Sequence, residues 1–180
     1  MRLTHKAHHL LAGHLKSGDL VLDATAGNGH DSLFLARAVA PEGWLFAFDI
    51  QTQALANTRR RLAQAGLLER ARLIQAGHQA LIHHLPPWSH GRLAAAMFNL
   101  GYLPGGDHRL STRPDTTSMA LEQALALLAP GGRLSVLCYR HHPGGEEEYQ
   151  RVERWLRSRS ELELEEYASP GPVLFMARKP

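Results

Sequence analysis

Two loops of this 180-residue chain concentrate side chains that could do chemistry. DATAGNGHDS, residues 23–32, sets the carboxylates of Asp23 and Asp31 around Gly27 and Gly29, with Ala24, Thr25 and Asn28 between them. NLGYLPGGDH, residues 99–108, follows the apolar run RLAAAMF and carries Asn99, Leu100, Tyr102 and Asp107. A third acid, Asp49, ends the run WLFAFDI beside Ile50 and Gln51, and the short AGHQ contributes Gly77 and His78. Loops of this composition either turn the chain or hold a ligand.

The first loop says which ligands it suits. Gly27 and Gly29 let backbone pass close to a bound molecule, because no Cβ intervenes and positive φ costs little. Compared with G-x-G-x-x-G, the sequence puts Ser32 where a third glycine would stand, directly after the acid Asp31. Carboxylates on both sides of the loop would repel the pyrophosphate of a dinucleotide, so a neutral or cationic ligand fits better. S-adenosyl-L-methionine has an amino group and a sulfonium and no phosphate, and an acid here can hold its amino end. Asp49 follows Asp23 at about the spacing of a ribose-binding acid; the alternative is that it caps the helix after it. Gly77 and His78 stand where an adenine edge would be met, or His78 is a polar residue at a helix start.

Those loops need elements to hold them. A helix is expected from Thr4 to Leu15. Then LVLDATAG reads as a buried strand entering a tight loop, HDSLFLARAVA as a helix and WLFAFDI as a second strand, a βαβ unit of about 30 residues. QTQALANTRRRLAQAG is a helix, ARLIQAG a third strand, HQALIHHL a short helix and RLAAAMFNL a fourth strand. A long helix starts at Pro114 or Asp115 and is expected to end at the turn Pro130-Gly131-Gly132. RLSVLCY is the fifth strand, EEEYQRVERWLRSR a charged helix, and ELELEEY and PVLFMARK a closing antiparallel hairpin. Such alternation implies an α/β fold with a mainly parallel sheet covered on both faces and ligands at the carboxyl ends of its strands. Residues 1–180 are expected to form a single domain.

Composition bounds the partners. Hydrophobic residues make up 44% of the chain, enough for a sizeable core. No apolar run approaches the roughly 18 residues of a membrane span, and no signal-peptide pattern opens the chain, so no membrane partner and a cytoplasmic location are expected. The formal charge of +3 permits an anionic partner without requiring one. The lone Cys138 sits in an apolar run and reads as a buried structural thiol. Twelve histidines occur partly as adjacent pairs, among them His8-His9 and His141-His142. A helical metal site wants ligands at i and i+4, so no metal is expected.

With DATAGNGHD, FDIQ, AGHQ, FNLGYLPGGDH and RPDTT in this order, the chain resembles the class I S-adenosylmethionine-dependent methyltransferases. More narrowly it is similar to the YtqB/MnmM-like, rRNA-methylase-like family along nearly its whole length. The resemblance implies a Rossmann-like fold of seven strands ending in an antiparallel hairpin. It also implies methylation of the aminomethyl group of wobble 5-aminomethyl-2-thiouridine in tRNA, an RNA partner met at its anticodon region, and a homodimer. An rRNA or small-molecule methyltransferase, or a noncatalytic RNA-binding protein with a relic pocket, are the alternatives.

Amino-directed methyltransferases often end the fourth strand in Asn or Asp, Pro, Pro, Tyr or Phe. Asn99, Leu100, Gly101 and Tyr102 match that pattern without its prolines. The Asn99 side chain and the Leu100 carbonyl can orient the hydrogens of an amine, and Asn99 also borders the cofactor. Tyr102 can stack on a splayed base or pack the loop. Asp107 can bind the amine or bond within its loop. Arg109, Arg113, Arg140 and His141 are candidates for phosphate contacts, or a solvated face. Thr112, Thr116 and Thr117 read as structural.

Overall fold

The computed structural model describes residues 2–103, 105 and 111–180. In chain order the elements are α1 (Leu3–Ala12), β1 (Leu20–Asp23), α2 (His30–Val39), β2 (Trp44–Asp49), α3 (Thr52–Gln64), β3 (Ala71–Gln75) and α4 (Leu81–His84). They continue with β4 (Leu93–Leu100), α5 (Pro114–Leu127), β5 (Leu128–Tyr139), α6 (Gly145–Arg157), β6 (Glu163–Ala168) and β7 (Pro172–Arg178). Among the described residues the strands form one seven-stranded sheet, ordered β3-β2-β1-β4-β5-β7-β6. β1 to β5 pair in parallel, while β7 runs antiparallel to both β5 and β6.

The period of two along each strand builds a core on either side. Leu22, Phe46, Phe48, Phe98 and Val136 face α5 and α6, where Ala120, Leu121, Ala124, Val152 and Leu156 are buried. Val21, Leu45, Ala47, Met97 and Leu137 face the other way, against Leu11 of α1, Leu35 of α2 and Leu62 of α3. A fully buried Leu or Phe contributes about 1.5–3 kcal/mol. The two cores therefore fix the sheet with helices on both faces, as the alternation predicts.

Two helix ends differ from their expectations: α1 stops at Ala12, three residues short of Leu15, where Gly13 caps it, and α5 also stops early. α5 ends at Leu127, before the Pro-Gly-Gly turn, and Leu128 already pairs with Leu93 in the sheet. Leu128 is buried, and the Lys179 ammonium donates to the carbonyls of Leu125 and Leu128 at 2.9 and 2.8 Å. A distant cation thus satisfies carbonyls that a glycine cap would otherwise serve. The turn becomes an irregularity inside β5, with Gly131 at φ +78°.

Strand order reverses between β1 and β4. At such a switch point the loops leaving two neighbouring strands diverge to opposite faces, opening a crevice at their carboxyl ends. Both loops singled out in the sequence leave from there.

Candidate active site

The loop after β1 is sewn to the strands beside it. Ala24 N–H donates to the Met97 carbonyl at 2.9 Å and Ala26 N–H to the Phe48 carbonyl at 2.8 Å. Asp23 is fully buried behind the loop, accepting from Thr25 N–H at 3.1 Å and from the Ser32 hydroxyl at 2.6 Å. Burial first, then the nearby Asp31 charge, push its carboxyl up to about 7. Gly29, at φ +78°, opens α2, and a Cβ there would stand 2.7 Å from the Thr58 Cα. The close approach at Gly29 is thus to α3 of the same chain. The Thr58 hydroxyl donates to the Gly27 carbonyl at 3.2 Å, and Arg61 Nε donates to the Asn28 carbonyl at 2.9 Å. α3 holds the loop from outside.

Asp31, in the first turn of α2, is buried and joins three elements. Its Oδ1 is 2.5 Å from Nε2 of His8 on α1, and its Oδ2 accepts from Nδ2 of Asn99 at the end of β4. The His8 ring stacks on Phe34 with centroids 4.1 Å apart and planes 7° apart. Asn99 N–H donates to the Thr25 hydroxyl at 2.7 Å, so the two loops are tied by backbone as well.

Asp49 ends β2 on the far side of the cleft. One carboxylate oxygen accepts from Gly27 N–H and the other from Gln51 N–H, each at 2.9 Å. Burial raises its carboxyl above the ordinary range, against the pull of these hydrogen bonds. A carboxylate has about four acceptor sites, so Asp49 keeps capacity for a further donor such as a ribose hydroxyl. Ile50 beside it is 51% exposed, an apolar surface at the cleft edge. Gly77 precedes a short 3-10 turn, His78–Ala80, in which the His78 ring packs on Phe98 at 5.7 Å. Burial lowers the His78 imidazole to about 4, leaving it neutral near pH 7.

These residues line one cleft of about 1740 Å³. Ala24, Thr25, Gly27, Asn28, Asp31, Asp49, Ile50, Gln51, Gly77, His78, Asn99, Leu100 and Tyr102 all border it, as do Arg113, Arg140 and His141. Asp23 and Gly29 stand behind its wall. Asp107 and Arg109 lie outside the described residues.

The segment after β4 is braced from α6. Gly101 N–H donates to the Thr112 hydroxyl at 2.9 Å, and that hydroxyl donates to Glu148 at 2.7 Å. Thr117 donates to the other Glu148 oxygen at 2.5 Å. Burial raises the Glu148 carboxyl, and the two threonine hydroxyls oppose that rise. Thr112 and Thr117 are structural, as expected, though through a buried carboxylate. Thr116 bonds the Arg113 carbonyl at 3.1 Å. Tyr102 is 39% exposed and meets the His142 ring edge-on at 5.9 Å. Arg113 is exposed at the start of α5. Arg140 donates to the Gly171 carbonyl at 3.2 Å and covers the Tyr149 ring, whereas His141 is exposed.

Sequence reasoning missed His8 and Glu148. His8 entered only as half of an adjacent histidine pair, and Glu148 as one of three acids on a charged helix. Nothing local separates Glu148 from Glu146 and Glu147; the signal lies in the helix period, which turns Glu148 to the same buried side as Val152 and Leu156.

The model of the family described as "Putative rRNA methylase" matches residues 45–169. A solved Clostridium thermocellum structure of the same description is 37% identical, covers the whole chain and 98% of its own, and superposes with a TM-score of 0.92. A Streptococcus mutans methyltransferase structure in complex with SAH is 32% identical, with TM-score 0.88 over all of this chain and 99% of that one. The chloroplastic tRNA (mnm(5)s(2)U34)-methyltransferase of Arabidopsis thaliana is 39% identical over 84% of the chain, which spans 58% of that relative's length. The family model covers well over half of the residues and the structural likeness runs from end to end; this chain belongs to the rRNA methylase family of class I methyltransferases.

Proposed function

We propose that the chain is an S-adenosylmethionine-dependent N-methyltransferase that methylates the 5-aminomethyl group of wobble 5-aminomethyl-2-thiouridine in tRNA. The observation that carries this reading is the facing of Asn99 and the acid-bordered glycine loop across one cleft, with Asp31 bonded directly to the Asn99 amide. The name of the Arabidopsis relative supports the substrate.

The donor set fits the cofactor from end to end. Asp49 offers lone pairs to two ribose hydroxyls, while Ile50 and the neutral His78 offer an apolar surface and a polar edge to a purine. Gln51, Gly77 and Asn28 complete that side. Ala24, Thr25, Gly27 and Asp31 border the amino-acid end, where carboxylates attract an ammonium. Asp23 and Gly29 shape the loop from behind. Bound there, S-adenosyl-L-methionine supplies a methyl already activated on a sulfonium.

The chain's task is then to present an amine. An alkylamine is mostly protonated at neutral pH and must give one proton to water or to an acid of its loop before its lone pair can attack. Asn99 Oδ1 and the Leu100 carbonyl are the acceptors that hold the remaining N–H groups, and holding them in line is the main source of rate. Tyr102 carries the base. Asp107 is the acidic member of the same loop, and Arg109, Arg113, Arg140 and His141 are the candidates for the RNA backbone. Residues 1–180 work as one methyltransferase domain, in the cytoplasm, as a homodimer that engages the anticodon region.

Incubation with methyl-labelled cofactor and RNA from a strain lacking the gene tests the substrate. Label in the tRNA fraction is expected. Label confined to rRNA, the acceptor in the family's description, or to free amines would overturn the tRNA reading.

A further inference from the structure

We infer that His8 is a positioning residue that acts through Asp31 to fix which way the Asn99 side-chain amide faces. The inference rests on the proposed amine-methylating role of Asn99 and deepens it.

An asparagine amide has two nearly isosteric ends, and only the carbonyl oxygen can accept an amine N–H. Turned the other way, Asn99 would present Nδ2 to the substrate and hold nothing. A carboxylate accepts and cannot donate, so both neighbours of Asp31 must donate to it. This condition settles two assignments together. Asn99 must give Nδ2 to Oδ2 of Asp31, which leaves Oδ1 as the acceptor on a side chain that lines the cleft. His8 must carry hydrogen on Nε2, 2.5 Å from Oδ1 of Asp31.

Asp31 could rotate away from Asn99 if nothing held its other oxygen. His8 supplies that hold and is itself kept in place by its stack on Phe34. Its helix α1 is anchored by Ala7 and Leu11, both buried in the core shared with Leu35 and Val39 of α2. Three rigid elements, α1, α2 and β4, thus converge on one amide. Hydrogen-bonded support of this kind sets the orientation of a group that touches substrate without touching substrate itself.

The test is a double-mutant cycle on methyl transfer to total RNA from a strain lacking the gene, with S-adenosylhomocysteine affinity measured by calorimetry on each variant. His8→Ala is expected to lower kcat at least tenfold, with cofactor-product affinity changed less than threefold. His8→Gln, whose amide can donate to Asp31, recovers most of the rate. In an Asn99→Ala background, His8→Ala costs nothing further, because the group it orients is gone. Independently of any substrate, ¹⁵N NMR of the imidazoles shows hydrogen on Nε2 of His8 in the wild type, and that signal moves in Asp31→Asn. Additive losses in the cycle, a rate loss matched by lost affinity, no effect of His8→Ala, or a His8 tautomer with hydrogen only on Nδ1 would each overturn the inference. Label in rRNA alone would instead overturn the tRNA reading, and the cycle would be read on that RNA.

Discussion

At the scale of single residues, the proposed roles separate binding from turnover. Asp49 is proposed to accept from the ribose of the cofactor, and hydrogen bonds to a charged group are worth about 1.5–3 kcal/mol each. Asp49→Ala should therefore weaken S-adenosylhomocysteine binding tenfold or more by calorimetry. Asn99→Ala should slow turnover about as strongly while leaving that affinity within threefold. Asp23 gives a prediction with a pH sign. Its folded carboxyl is raised from 3.8 to about 7, so the folded state binds the proton more tightly than the unfolded chain. That contribution to stability is fully present below about pH 4 and is lost as pH rises through 7. Asp23→Asn, which cannot ionise, should flatten the fall between about pH 4 and 7 in denaturant titrations. An unchanged slope would assign the dependence to another group.

At the scale of elements, the loop between β1 and α2 is held by α3, and the segment after β4 by α6. Gly29→Ala combines a left-handed φ with a Cβ 2.7 Å from the Thr58 backbone. It should cost about 2–6 kcal/mol in chemical denaturation, because positive φ and overpacking each carry about 1–3. Glu148→Ala strands two threonine hydroxyls and the Gly101 N–H network, whereas Glu148→Gln keeps an acceptor for one hydroxyl; the alanine variant should have the lower melting temperature and the larger loss of rate. Much of this scale was legible in the sequence. The strands announce themselves as apolar runs ending in Asp23, Asp49 and Asn99, because a buried parallel strand must be apolar throughout and its polar terminus marks the crevice. What was hidden came from contacts distant in sequence. His8 reaches Asp31 across 23 residues, and Lys179 caps α5 from more than 50 residues away. Neither leaves a local pattern, so nothing in α1 marks His8 as part of the site, and α5 stops about two residues before the expected turn.

At the scale of the whole molecule, the cleft mouth brings basic side chains around a buried acidic floor. Arg113, Arg140 and His141 border it beside the exposed Tyr102, an arrangement suited to a backbone phosphate next to a splayed base. Arg113→Ala should weaken RNA binding across sequences and reduce the salt slope of log K by about 1. A slope identical to wild type would remove Arg113 from the interface. Sedimentation should give twice the mass of the chain if the proposed homodimer forms, and a monomer at assay concentration would contradict that part of the account. The claim joining these scales is that one cleft presents an aminomethyl uridine of tRNA to a methyl donor. Nucleoside mass spectrometry of tRNA from cells with and without the gene tests it most directly. The account predicts that 5-methylaminomethyl-2-thiouridine disappears without the gene while 5-aminomethyl-2-thiouridine accumulates; identical levels of both nucleosides in the two strains would contradict it.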